Sequence, residues 1–170
     1  MNDSDSNRDG DPTDIHAWQR IDGRTTTSGR LRAADVARLA AIGVRHVVSL
    51  AVNSHPGALP DEAQLCAAAG LRFTHVPVPF EAPEERHYAA FRAAIEADEA
   101  PVHVHCIANF RAAAFFYRYH RDVRGMSEGE ARAIMARQWT PETHDHPMAP
   151  VWAAFIARTG SGQTRTGETE

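Results

Sequence analysis

The chain has only two cysteines, Cys66 and Cys106, in 170 residues. A domain of this size builds a core that needs no disulfide staple, so two thiols fit a reducing compartment. No apolar run is long enough to cross a bilayer, and the N-terminus has no apolar signal core. Those two absences point to a cytoplasmic protein with no membrane partner. Positive charge is not in excess either. A net charge of -4 argues against nucleic acid or an anionic lipid surface as the main partner. No repeat or low-complexity linker divides the middle of the chain. The composition that remains is that of one globular domain, with 43% hydrophobic and 24% charged residues.

Both ends lack apolar residues. Residues 1–14 hold five Asp among Ser, Asn and Gly and read as a disordered acidic tail. Residues 159–170 are rich in Thr, Gly and Ser and read as a flexible tail. The domain proper is expected over residues 15–158, where helix and strand patterns alternate. Helices are expected over Leu31–Ile42, Pro60–Ala69, Pro83–Ala97, Arg111–Val123, Ser127–Gln138 and Pro150–Arg158. Gly43 and Gly70 stop the first two, and Ser127 with Glu130 forms a capping box. Strands are expected over Val44–Val52, Leu71–Val78 and Val102–Cys106. The fold class is α/β, a mostly parallel central sheet flanked by helices. Ligands on such sheets bind beyond the carboxyl ends of the strands, where Cys106 lies.

The segment Val102-His103-Val104-His105-Cys106-Ile107-Ala108-Asn109-Phe110-Arg111 carries the chemistry. A strand that ends in cysteine, turns tightly and enters a helix aims backbone N–H groups at one point. The helix N-terminus adds its positive end, so Ile107, Ala108, Asn109, Phe110 and Arg111 form an anion cradle with a thiol at its floor. The same field favours thiolate over thiol. Arg111 adds a forked cation suited to phosphate oxygens. Its place in the first turn of a helix, where acids are preferred, supports an anion between the two. Plainer alternatives are a buried strand-end thiol for Cys106 and a clamp on loop carbonyls for Arg111.

His105-Cys106 with Arg111 resembles the signature of the cysteine-dependent protein tyrosine phosphatases, His-Cys-x5-Arg-Ser/Thr. Here four residues separate Cys106 from Arg111 instead of five, none of them is Gly, and Ala112 replaces the hydroxyl residue. Asn109 is the residue best able to take a glycine's positive φ. An ordered series extends the likeness: Thr27-Ser28-Gly29, His46–Leu50, Leu59–Glu62, His75–Val78 and Pro150-Val151-Trp152 with Phe155-Ile156. The series is similar to a bacterial branch of phosphatase-like proteins related to the beta-lactamase-hydrolase-like phosphatase domain. In that branch the loop reads His-Cys-Ala-Ala-Asn-x-Arg. The resemblance covers residues 18–158 and implies a protein-tyrosine-phosphatase-like fold, a phosphate ester or phosphoprotein substrate, no cofactor and no metal. It also implies that His105 orients the cysteine loop, although a satisfied core histidine reads the same way. In the wider family the missing hydroxyl helps the thiolate leave.

The family's general acid is an Asp on a mobile loop before the cysteine. No Asp lies between Asp61 and Asp98, and Asp98 belongs to the wrong end of its strand. Glu81, in Pro79-Phe80-Glu81-Ala82-Pro83, comes after the second strand on the correct edge and is the candidate acid, with a solvated loop glutamate as the alternative. His103 reads as core. His144, Asp145 and His146 lack a further ligand at suitable spacing and read as a surface loop. Cys66, Trp139 and Trp152 read as packing residues. Three functions remain open: a phosphatase forming a phosphocysteine on Cys106, a non-catalytic phosphate-binding pseudophosphatase, and a rhodanese-type sulfurtransferase carrying a persulfide on Cys106.

Overall fold

The computed structural model describes residues 7–159. In chain order the elements are β1 (Gln19–Arg20), β2 (Thr25–Ser28), α1 (Ala33–Ala41), β3 (His46–Ser49), α2 (Glu62–Ala68), β4 (Arg72–His75), α3 (Glu85–Ile95), β5 (Val102–His105), α4 (Phe110–Asp122), α5 (Glu128–Ala136) and α6 (Ala149–Ala157). Among the described residues they form one α/β unit. Its sheet runs β1-β2-β5-β3-β4 and is parallel except for the β1–β2 pair.

Alternation along β5 sorts its side chains between two cores. Val102, Val104 and then Cys106 join Tyr88, Phe91, Phe115, Trp152 and Phe155 under α3, α4 and α6. His103 and His105 face the other way. Their register partner Val47 packs with Val36, Leu39, Cys66 and Leu71 under α1 and α2. Sandwiched between β2 and β3, β5 has no free edge, so its end is a fixed platform for the cysteine loop.

The expected helices are present with their ends shifted by one or two residues, α4 and α6 opening one residue earlier than expected and all other ends being trimmed. α2 starts at Glu62 rather than Pro60, because Asp61 takes a left-handed conformation with φ 59° before the helix opens. Ser127 caps α5, its hydroxyl accepting from Glu130 N–H at 3.2 Å and donating to the Glu130 carboxylate at 3.1 Å. Two strands, β1 and β2, come in addition to the expected ones. They are short and made of Gln, Arg, Thr and Ser, so they carry no hydrophobic run. The three expected strands keep their places but pair over only four residues each.

The acidic tail expected over 1–14 needs correction where it is described. Residues 7–14 lie against the domain. Asp11 takes Nε and Nη2 of Arg20 at 2.7 and 2.8 Å with both side chains buried, and Asp14 pairs with Arg32 and Arg38. Composition treats such acids as solvated charge, whereas Asp11 and Asp14 each meet an arginine of the domain. Residues 1–6 of that tail, and all of the expected 159–170 tail except Thr159, lie outside the described residues.

Candidate active site

Cys106 comes directly after the last residue of β5 and is buried. From Ile107 to Arg111 no backbone N–H donates to another protein group among the described residues, while the Ile107 carbonyl accepts from Arg30 N–H at 2.9 Å. The loop thus engages the Ile107 carbonyl with Arg30 and leaves its N–H groups without a protein partner among the described residues. Asn109 makes this turn possible. It sits at φ 69°, ψ 7° and opens α4 as its N-cap. Its Nδ2 donates to the Ala17 carbonyl at 2.9 Å and Thr27 Oγ1 at 3.0 Å, offsetting the backbone strain. Gly29 lies beneath the loop. A Cβ there would fall 2.5 Å from the Ile107 carbonyl oxygen, so the chain crosses too closely for any side chain.

Arg111 stands over the loop from the first turn of α4 and is buried. Its Nη1 does clamp a loop carbonyl, that of Val78 at 2.8 Å. Its Nε is buried with no partner among the described residues, and its guanidinium lies 5.6 Å from the Phe80 ring centroid. A charged donor left over inside the fold, beside free N–H groups and a thiol, is a binding arrangement for an oxyanion.

The histidines behind the loop are pinned from below. His103 stands between Thr26 Oγ1 and Ser28 Oγ, each 2.8 Å from a ring nitrogen, with Trp18 stacked on it. Burial and the neighbouring His105 hold it well below the usual histidine range, so it is neutral core, as expected. The Nε2 of His105 lies 2.5 Å from the Glu62 carboxylate on α2, and its Nδ1 lies 3.4 Å from the Cys106 carbonyl. Glu62 closes the Leu59–Glu62 segment of the resemblance, but nothing in that segment assigns it a role. The contact joins residues 43 positions apart, and nothing in the local pattern announces it.

A cavity of about 550 Å³ opens over the thiol. Cys106, Ile107, Ala108, Phe110 and Arg111 form its floor, and Pro79, Phe80, Glu81, Val52, Ser54, His55 and His146 form its walls. Two tryptophans set those walls. Trp139 stacks on Phe110 at 4.4 Å and donates its Nε1 to the Phe110 carbonyl, while Trp152 donates its Nε1 to the Phe80 carbonyl at 2.7 Å. Both therefore do more than the packing expected of them. His55 and His146 each accept a backbone N–H at Nδ1, from Gly57 and Met148 respectively. That fixes the proton of each neutral ring on Nε2. Glu81 is exposed and is, among the described residues, the one carboxylate on the cavity wall.

The remaining candidates lie elsewhere. Asp98 is at the opposite end of the sheet, 2.6 Å from Arg72, and the Ala100 N–H and Arg72 hold its carboxyl below the usual range. Cys66 is buried on α2, where burial and the Glu62 charge push its thiol up to about 11. His144 packs edge-on against Phe110, and Asp145 is exposed. His146 is the departure from the surface-loop expectation, since it lines the cavity and meets the Phe80 ring edge-on at 4.9 Å. Among the described residues no group of three or more His, Cys, Asp or Glu is placed to hold a metal ion, and no helix is long and apolar enough to cross a membrane.

Residues 20–117, more than half of the chain, match the family described as beta-lactamase hydrolase-like protein, phosphatase-like domain. No curated protein matches. Among solved structures, a DUF442 protein of Shewanella putrefaciens CN-32 with a provisional phosphatase designation is 28% identical, with TM-score 0.72 over 84% of this chain and 88% of its own. A cysteine-to-serine variant of TpbA from P. aeruginosa, in complex with phosphotyrosine, is 20% identical, with TM-score 0.66 over 85% of each chain. The core catalytic domain of the PP-IP phosphatase SIW14 from S. cerevisiae, in complex with citrate, is 12% identical, with TM-score 0.67 over 86% of this chain and 87% of its own. The last two speak for the fold alone. A cysteine at the end of a central strand, an arginine opening the next helix and a matching family sequence on this fold lead to one assignment: the chain belongs to the phosphatase-like domain family of beta-lactamase hydrolase-like proteins.

Proposed function

We propose that the protein hydrolyses phosphate monoesters through a phosphocysteine on Cys106. The observation that carries this reading is the set of unpartnered N–H groups from Ile107 to Arg111, joined by the unpartnered Nε of Arg111, in the segment that lines one cavity with Cys106. The Cys106 thiolate attacks phosphorus and the ester P–O bond breaks as the S–P bond forms. Loop N–H groups and Arg111 hold the non-bridging oxygens, whose charge shifts in the transition state. Glu81, in its acid form, hands a proton to the leaving oxygen and then, as carboxylate, takes one from the water that cleaves the S–P bond. His105 orients the loop from behind. The substrate class this suits is a phosphate ester or phosphoprotein side chain entering the cavity over Cys106.

The second reading, a phosphate-binding pseudophosphatase, has one observation in its favour. Ala112 is fully buried where the wider family has a hydroxyl, so no side chain there helps the thiolate leave. In the phosphatase reading this makes release from sulfur slow. The test is a panel of aryl and alkyl phosphate esters assayed with wild type, Cys106→Ser and Arg111→Ala side by side. Turnover of aryl esters that disappears in Cys106→Ser supports the enzyme. Phosphate binding without turnover of any ester supports the binder, and a thiosulfate sulfurtransferase activity dependent on Cys106 would overturn both.

A further inference from the structure

The cysteine loop rests on Ile15–Trp18, a segment that ends before the family match begins at residue 20. Ile15 is buried in the core under α1 and α2. Trp18 N–H donates to the Ile15 carbonyl at 3.1 Å, and the Trp18 ring stacks on His103. Between them the His16 carbonyl accepts from Gly29 N–H at 2.7 Å. A Cβ on Gly29 would fall 2.6 Å from His16 Cδ2 and 2.5 Å from the Ile107 carbonyl oxygen, so segment, β2 end and loop touch. Ala17 takes φ 55° in this turn, a conformation that glycine adopts freely and alanine does not. Among the described residues, the non-glycine positions with positive φ are Ala17, Asp61 and Asn109. Two of these three are joined by a hydrogen bond, from Asn109 Nδ2 to the Ala17 carbonyl at 2.9 Å.

Tolerance of left-handed backbone does not by itself account for the Asn109 side chain. Its Oδ1 is buried with no partner among the described residues, while its Nδ2 serves both the Ala17 carbonyl and Thr27 Oγ1. Glycine would take the same φ without burying an unmatched oxygen. The side chain is therefore held there by its donors. We propose that Asn109 is a positioning residue: it latches the cysteine loop to Ile15–Trp18 and so holds the N–H groups of Ile107–Arg111 ready for an oxyanion before one arrives. The strain at Ala17 is part of the device, since it presents the carbonyl that the latch needs. Backbone strain of this kind persists where the surroundings over-determine it, and here Ile15, Gly29 and Trp18 do so. A loop cut from its latch samples other arrangements, and affinity falls with the fraction that stays competent.

The latch serves the oxyanion site of the proposed phosphatase and rests on that reading, but its test needs no turnover. Binding of inorganic phosphate is measured by titration calorimetry in wild type and Asn109→Gly, alongside melting temperatures. Glycine accepts φ 69° and lacks the latch. The dissociation constant is expected to rise about tenfold, for the two hydrogen bonds lost and the loop set free. A residue chosen only for its backbone would be replaced by glycine at no loss of binding. An unchanged dissociation constant, whatever the melting temperature, would overturn the proposal. Wild-type protein gives a check that no misfolded variant can spoil. Slow solvent exchange of the Asn109 side-chain N–H protons by NMR supports a closed latch, and exchange at the rate of an exposed amide overturns it. A protein that shows the tenfold loss of phosphate yet turns over no ester keeps the latch and loses the phosphatase reading.

Discussion

The Nε1 of Trp152, on the last helix, donates a hydrogen bond to the carbonyl of Phe80, 72 residues earlier, at 2.7 Å. Phe80 precedes Glu81 and forms one wall of the cavity. The C-terminal helix thereby sets the turn that presents the candidate acid. Trp152→Phe keeps the packing and removes the donor. An unmet buried carbonyl costs about 1–3 kcal/mol, so the variant is expected to melt lower and to lose turnover of esters with poor leaving groups. Alkylation of Cys106 should not change, and a change there would mean that Trp152 acts on the loop instead.

Glu81→Gln tests the acid itself. Poor leaving groups need a proton and activated phenolates do not, so the loss should fall on alkyl phosphates by about 100- to 10000-fold and spare activated aryl esters. The basic limb of the pH profile should weaken as well. Steady-state rates on matched esters measure this, and equal losses on both would make Glu81 a surface residue.

Gly29→Ala reads the close crossing under the loop. Its Cβ would meet the Ile107 carbonyl at 2.5 Å, on backbone that cannot swing away. The loop must shift, and misplaced donors are expected to reduce activity about 100-fold while the protein remains folded. Circular dichroism and turnover together check this, and full activity would show that the loop tolerates displacement.

Acid stability has a named source. Burial holds His120 down to about 4 and His103 well below the usual range, with His46 and His87 lowered in the same sense. In the unfolded chain each titrates near 6.5. Below that pH the unfolded state binds protons the folded state refuses, so stability falls as pH drops from about 6.5 toward 4, at up to about 1.4 kcal/mol per unit for each such group. The His120→Phe variant, with its ring still stacked on Phe116, should flatten this slope. Denaturant midpoints at pH 7 and pH 5 measure it, and an unaltered slope would exonerate His120.

The strand–cysteine–helix unit was legible because β-branched residues, a thiol and an apolar helix stand together within one short segment. Asn109 was legible as the left-handed residue because few others tolerate that conformation. Strands β1 and β2 were not, since Thr25–Ser28 become a strand only by pairing with Val102–His105. Glu62, Trp152 and Gly29 were legible as sequence but not as parts of the site. Each acts through a contact made after the chain returns from a distant element, and a local pattern holds no trace of it.

The central claim is a phosphoryl group carried on Cys106. Ala112 offers no hydroxyl to speed its release, so the intermediate should accumulate during turnover of an activated aryl phosphate. The direct measurement is mass spectrometry of wild-type enzyme quenched in acid during the first turnover, with the site of modification located by peptide mapping. The account predicts one phosphoryl group on the peptide containing Cys106, absent in Cys106→Ser and longer-lived than in Ala112→Ser. Ester hydrolysis that proceeds in Cys106→Ser, or phosphate on any other residue, would contradict it.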